Sequence, residues 1–198
     1  MNKIDDILNG TPEKNLHFKD TTSLKWKRDF LEFFIDKKLK SCLEIGTHQG
    51  LSTRILSSVF GHVWTVESNE KRWKLAKEYN SNESNITFIL GDAYVDETYS
   101  TIPTSMDVVF IDCGHDVYEV LSDIERAIAL CDDEVYIVFD DYGHPETGVK
   151  QAIEQSKRKY NIETISFIGQ EDGFFVTRKD GSTFQLIDNE GIIMRYSK

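Results

Sequence analysis

Positive charge is scarce in this chain. Its 198 residues carry 23 Lys and Arg against 34 Asp and Glu, a formal net charge of -11. A sequence-independent nucleic-acid binder needs a surplus of cations to neutralise phosphates. Docking on an anionic membrane needs the same surplus, so neither partner is expected. Cysteine is also sparse: Cys42, Cys113 and Cys131, with no C-x-x-C pair. That speaks against a disulfide framework or a structural zinc site and fits a reducing, cytoplasmic setting. Only three prolines are present, and no repeat, low-complexity tract or domain linker interrupts the chain. No apolar run approaches the ~18 residues that span a bilayer. The opening MNKIDDILNG has two early aspartates and no apolar h-region, so no signal peptide is expected.

What remains is the composition of one ordinary globular domain, 39% hydrophobic and 29% charged. From Ser41 onward, short apolar runs at 42–45, 63–66, 86–90, 106–111 and 135–139 alternate with amphipathic stretches. The runs are rich in Val, Ile and Phe and nearly continuous, as in parallel strands buried on both faces. The stretches at 51–60, 71–79, 117–130 and 147–159 have helical spacing, so βαβ units with helices on both faces of the sheet are expected. Two hairpins are expected after them. One joins 162–169 to 174–178 through Gly173, and the other joins 184–187 to 191–196 around Asn189-Glu190-Gly191. The first forty residues are expected to be helical, with Ser23 capping a helix from Leu24.

Three features sit at C-terminal strand ends, where open α/β sheets bind ligands. Leu43-Glu44-Ile45-Gly46-Thr47-His48-Gln49-Gly50 turns the first strand into the first helix. Its glycines allow positive φ and close backbone approach, but their spacing is not the GxGxxG of dinucleotide enzymes. Glu67 ends the second strand, where an acid can accept both hydroxyls of a ribose. Gly91-Asp92-Ala93 follows the third, where a carboxylate can face an adenine amino group.

The fourth and fifth strands end in acids: Asp112, then Asp140-Asp141-Tyr142. Adjacent strands lie ~4.8 Å apart, and carboxylates converging at that spacing repel unless a cation lies between them. An oxygen-only set suits Mg²⁺, with Ca²⁺ or Mn²⁺ as alternatives. His115, three residues beyond Asp112, is placed to take a proton as general base. His48 and His144 occupy neighbouring loops. Without a metal, Asp140 and Asp141 would cap the helix near Thr147, and Asp112 would hold the cofactor's amino group.

The ExGxxxG loop, the acid at Glu67 and the Gly91-Asp92-Ala93 triplet resemble the class I S-adenosylmethionine-dependent methyltransferases. Asp112-x-x-His115, Asp123, Asp140-Asp141-Tyr142 and Gly148-Val149-Lys150-x-Ala152 are similar to a metal-dependent small-molecule O-methyltransferase subgroup of sugar, macrolide and catechol type. Cys113 stands where that subgroup often has Gly, and Tyr118 lies three rather than two positions past His115. The resemblance implies a Rossmann-like, doubly wound, seven-stranded sheet, mostly parallel, closed by a C-terminal antiparallel hairpin. It implies a single domain with a helical extension at 1–40, a cofactor-binding core at 41–178 and a hairpin extension at 179–198. S-adenosylmethionine would lie on Glu44, Gly46, Thr47, Gly50, Glu67, Ser68, Asp92, Ala93 and Asp112. A Mg²⁺, Ca²⁺ or Mn²⁺ ion would lie on Asp112, Asp140 and Asp141, with His115 and Asp112 catalytic.

The expected activity is methylation of a small hydroxylated acceptor. A metal-independent methyltransferase on protein or nucleic acid, or a non-catalytic nucleoside-binding module, are the alternatives. The absence of an Asn/Asp-Pro-Pro-Tyr motif disfavours methylation of amino groups. The N-terminal segment is expected either to lid the cofactor site or to form a homodimer. Acceptor choice is expected to rest with 1–40, 94–105 and 182–198.

Overall fold

A computed structural model describes residues 3–10, 22–178 and 180–198. Helices α1 (Lys3–Gly10) and α2 (Leu24–Phe34) precede β1 (Ser41–Ile45), α3 (Leu51–Ser57), β2 (His62–Glu67), α4 (Glu70–Tyr79) and β3 (Ile86–Leu90). Then come β4 (Val108–Ile111), α5 (Val117–Ala129), β5 (Glu134–Phe139), α6 (Val149–Lys159), β6 (Ile162–Ile168), β7 (Phe175–Thr177), β8 (Thr183–Gln185) and β9 (Gly191–Ser197). Ser23 caps α2 as expected, its hydroxyl accepting from Trp26 N. The expected helical segment stops at Phe34, short of residue 40, and its residues 1–2 and 11–21 lie outside the described residues.

Seven strands form one sheet in the order β3-β2-β1-β4-β5-β9-β6. The first five are parallel, and β9 runs antiparallel to both β5 and β6. Side chains alternate across the sheet, so one strand feeds two cores. Cys42, Val108, Phe110, Val138 and Ile193 pack under α1, α2 and α3 with Trp26, Phe30 and Phe34. Leu43, Ile45, Val109, Ile111, Ile137 and Met194 pack with Ile124 and Ile153 of α5 and α6. No helix among the described residues is long and apolar enough to cross a membrane.

The seven-stranded, mostly parallel sheet is as expected, but the hairpin partners differ. β6 pairs with β9 across residues 169–190, not with the run at 174–178. β7 and β8 pair with each other in a separate two-stranded sheet, so β8 does not pair with β9. Hairpin reasoning joins nearest neighbours in sequence. Here Gly169 (φ +84°) turns the chain out of the sheet after β6. Because β6 runs the same way as β5, the inserted β7–β8 hairpin emerges at the C-terminal edge of the parallel strands. The last residues are therefore a strand inside the main sheet rather than an appended hairpin.

Candidate active site

Strand order reverses between β1 and β4, and the parallel strands' C-terminal ends there open into a cleft of about 1010 Å³. Gly46, Glu67, Ser68, Asp92 and Ala93 line one part of it, and Asp112, His115, Asp140 and Asp141 another. The β7–β8 hairpin supplies a further wall through Val176, Arg178, Phe184 and Leu186. Small-molecule sites run to about 300–1,000 Å³, so the cleft has room for a nucleoside-sized group and a small second molecule.

The glycine loop owes its shape to crowding. Gly46 has φ +103°, and a Cβ there would lie 1.9 Å from the Asp112 carbonyl oxygen. Gly50 (φ +78°) starts α3, and a Cβ would lie 2.5 Å from Asn80 Nδ2. Gly50 therefore packs against α4 and shapes the loop without lining the cleft. Glu67 holds the loop down: its Oε2 accepts from His48 N at 2.8 Å and its Oε1 from Asn69 N at 2.8 Å. Each oxygen keeps acceptor capacity for a ligand hydroxyl. Asp92 Oδ1 accepts from Tyr94 N at 2.9 Å.

Glu44 and Thr47 lie beneath the loop instead of along the cleft. Thr53 Oγ1 and Thr65 Oγ1 each donate to Glu44 Oε2 at 2.5 Å, and the Thr47 hydroxyl meets Thr65 Oγ1 at 2.5 Å. Glu44 Oε1 has no partner among the described residues. Burial pushes this carboxyl up to about 8. The Glu of the expected cofactor motif is thus a buried brace under the loop. Its side chain follows the strand alternation to the face opposite Leu43 and Ile45.

At the other end, ligand atoms of Asp112, His115 and Asp141 all lie within 4.8 Å of one another. His115 Nε2 is 2.8 Å from Asp141 Oδ2. Burial, then the Asp141 charge, pushes Asp112 up to about 7, while the hydrogen bond to Asp141 raises His115 against the effect of burial. The expected metal set was Asp112, Asp140 and Asp141, with His115 apart as base. The structure brings His115 into the group and leaves Asp140 outside it. Asp141 adopts φ +57°, and Asp140 Oδ1 is buried without a partner among the described residues. Burial and then the charges of Asp141 and Asp112 drive Asp140 upward. Two carboxylates and an imidazole form a donor set that can hold a first-row divalent ion such as Mn²⁺, and the nitrogen moves it away from oxygen-only Mg²⁺ or Ca²⁺ ligation.

The capping alternative does not hold. Helix α6 starts from Gly148 with no side-chain cap, and Asp141 gives only its carbonyl, to Thr147 Oγ1 at 3.2 Å. Tyr142 is a packed aromatic, buried against Phe167. Tyr118 is 86% exposed and plays no part in the cleft. Asp123 is buried on α5, both its oxygens without partners among the described residues, and burial pushes it up to about 7. His144 lines the cleft with its ring 4.1 Å from that of Phe184. Arg178 pins the hairpin to the same loop through Glu146 at 2.5 Å. Arg72, Glu119, Arg178 and Phe184 were not anticipated. No local motif marks them, because the hairpin and helix packing alone bring them to the cleft.

A family model described as a methyltransferase domain matches residues 43–142. The chain belongs to that family. It is an enzyme of the methyltransferase class, and the resemblance to class I S-adenosylmethionine-dependent methyltransferases read from the sequence holds. No curated protein matches it. Among solved structures, the O-methyltransferase from Bacillus cereus in complex with SAH is 19% identical with a TM-score of 0.65, covering 99% of this chain and 90% of its own. TomG from Streptomyces achromogenes, an O-methyltransferase of tomaymycin synthesis in complex with SAM, is 15% identical with a TM-score of 0.66, covering 100% and 90%. The tRNA methyltransferase TrmI from Aquifex aeolicus is 19% identical with a TM-score of 0.61, covering 98% and 75%. At these identities the likeness is one of fold, shared by enzymes with different acceptors.

Proposed function

We propose that this methyltransferase transfers a methyl group from S-adenosylmethionine to a hydroxyl of a small molecule, with a divalent cation held by Asp112, His115 and Asp141. The observation that carries the reading is the convergence of those three side chains in the same cleft as Glu67, Asp92 and Ala93. The SAM and SAH complexes of the structural neighbours support the choice of cofactor. When bound, the cofactor supplies an electrophilic methyl group, and a divalent cation lowers the pKa of a hydroxyl beside it. Glu67 would accept from the ribose hydroxyls, and Asp92 would accept from the adenine amino group. The hairpin supplies one wall of the cleft, and alignment of acceptor and methyl group is a large contribution a protein makes to such a transfer. The net charge of -11 supports a small acceptor over a nucleic acid.

A second reading rests on the 2.8 Å contact between His115 and Asp141. Without a cation, Nε2–H donates to Asp141, and Nδ1 is the nitrogen that takes the acceptor's proton. Chelation separates the two. Calorimetric titration with S-adenosylhomocysteine, and methylation of a panel of hydroxylated small molecules with labelled S-adenosylmethionine, are run with and without EDTA. The first reading expects unchanged cofactor-product binding and abolished transfer. Transfer that survives EDTA refutes the cation. Stabilisation by NAD and not by S-adenosylhomocysteine overturns the assignment altogether.

A further inference from the structure

Glu190 reads in sequence as a turn residue. In the fold it is a buried junction, 4% exposed, between helix α2, the end of β6, the start of β9 and the acidic end of the cleft. Its Oε1 accepts from Ser23 N at 2.8 Å. Its Oε2 accepts from the Ser23 hydroxyl at 2.6 Å and from Gln170 N at 2.8 Å. Its main chain is engaged too: the carbonyl accepts from Tyr142 N at 2.9 Å, and its N–H donates to Gln170 O at 2.8 Å. The space is built for this side chain, since a Cβ on Gly169 would lie 2.4 Å from Glu190 Oε2. Asp29 of α2 holds the same turn by accepting from Gly169 N at 2.9 Å.

We infer that Glu190 is a positioning residue for the cation site, and that through it helix α2 belongs to the working part of the enzyme. Two arguments meet here. Asp141 sits at φ +57°, a conformation that a non-glycine residue keeps only when its surroundings over-determine it. The Tyr142-to-Glu190 hydrogen bond fixes the residue directly after it. Three donors also hold the Glu190 carboxylate in place on the same cleft lining as Asp112, Asp140 and Asp141. A fixed anion there strengthens the attraction of the pocket for a cation without ligating it. A surface turn would need none of this machinery.

The inference rests on the cation reading above, and the test keeps their failures apart. Mn²⁺ binding is followed by electron paramagnetic resonance in the wild type, Glu190→Gln and Ser23→Ala, with S-adenosylhomocysteine affinity measured in parallel. Glu190→Gln is expected to weaken Mn²⁺ about tenfold and leave S-adenosylhomocysteine within twofold. Ser23→Ala keeps the charge but removes the hydroxyl that donates to Glu190 and caps α2, and is expected to weaken Mn²⁺ about threefold. If Glu190→Gln fails to fold, Ser23→Ala decides. Equal Mn²⁺ affinity in variant and wild type overturns the inference while the cation reading stands. A parallel loss of S-adenosylhomocysteine affinity also overturns it, because the residue would then merely hold the fold together. A wild type that takes up no Mn²⁺ refutes the cation reading and this inference together.

Discussion

Replacing Glu44 by Gln should remove one component of the pH dependence of stability. Glu44 is fully buried, accepts from two threonines on one oxygen and leaves the other without a partner among the described residues. Its carboxyl rises from 4.5 to about 8, chiefly through burial. Below pH 4.5 the folded and unfolded chains both hold this proton, and the group is neutral toward stability. Between pH 4.5 and 8 the unfolded chain releases the proton and the folded one keeps it. The unfolded state then binds fewer protons, and stability falls as pH rises. At about 1.36 kcal/mol per pH unit, the loss from this group reaches about 3 kcal/mol at pH 7. Above the folded pKa the loss levels off. Gln mimics the protonated acid at every pH, at a cost of about 1–3 kcal/mol for its unpartnered amide hydrogens. Urea unfolding of wild type and Glu44→Gln, from pH 5 to pH 8.5, checks this. The stability difference should move in favour of the variant by a few kcal/mol as pH rises. Parallel curves across that range would show that Glu44 is already ionised in the fold and would refute the reasoning.

Glu67→Gln should weaken S-adenosylhomocysteine binding by roughly 10- to 100-fold in calorimetry. The carboxamide can accept from only one of the His48 and Asn69 amides, and a hydrogen bond to a charged group contributes about 1.5–3 kcal/mol. Gly46→Ala should cost more than ~2 kcal/mol in chemical denaturation, because its Cβ would overlap the Asp112 carbonyl at a φ of +103°. Asp112→Asn and His115→Ala should each lower turnover of a found acceptor by at least ~100-fold. A His115→Ala enzyme near the wild-type rate would show that His115 is neither base nor necessary ligand.

Much of the core was legible because its signals are local. Val, Ile and Phe runs located β1 to β5 within a residue or two, and helical spacing located α3 to α6. The Ser23 cap needed only a serine before an amphipathic stretch. The strand-end positions of Glu67, Asp92 and Asp112 followed from those strands, since parallel topology puts all C-terminal ends on one edge. What failed was long-range pairing. β6 and β8 each look ready to pair with the next strand, and local pattern cannot show that β6 waits for β9. The same limit hid the hairpin wall, including Arg178 and Phe184.

The order of apolar runs, glycines and acids thus determined the parallel core and the edge that carries the cleft, and the family resemblance of its motifs supplied the chemical type of the enzyme. Those features repeat within a few residues, and the backbone geometry of strand and helix converts them directly into position. Tertiary structure alone decided where each acid sits and what it touches. Glu44 was turned under the loop by strand alternation, and Asp140 was left outside the group of Asp112, His115 and Asp141. His115 was drawn to Asp141, and Glu190 was fixed to Ser23 from the far side of the sequence. A carboxylate's role depends on what lies within ~4 Å of it, and across 167 positions between Ser23 and Glu190 only the folded chain sets that distance.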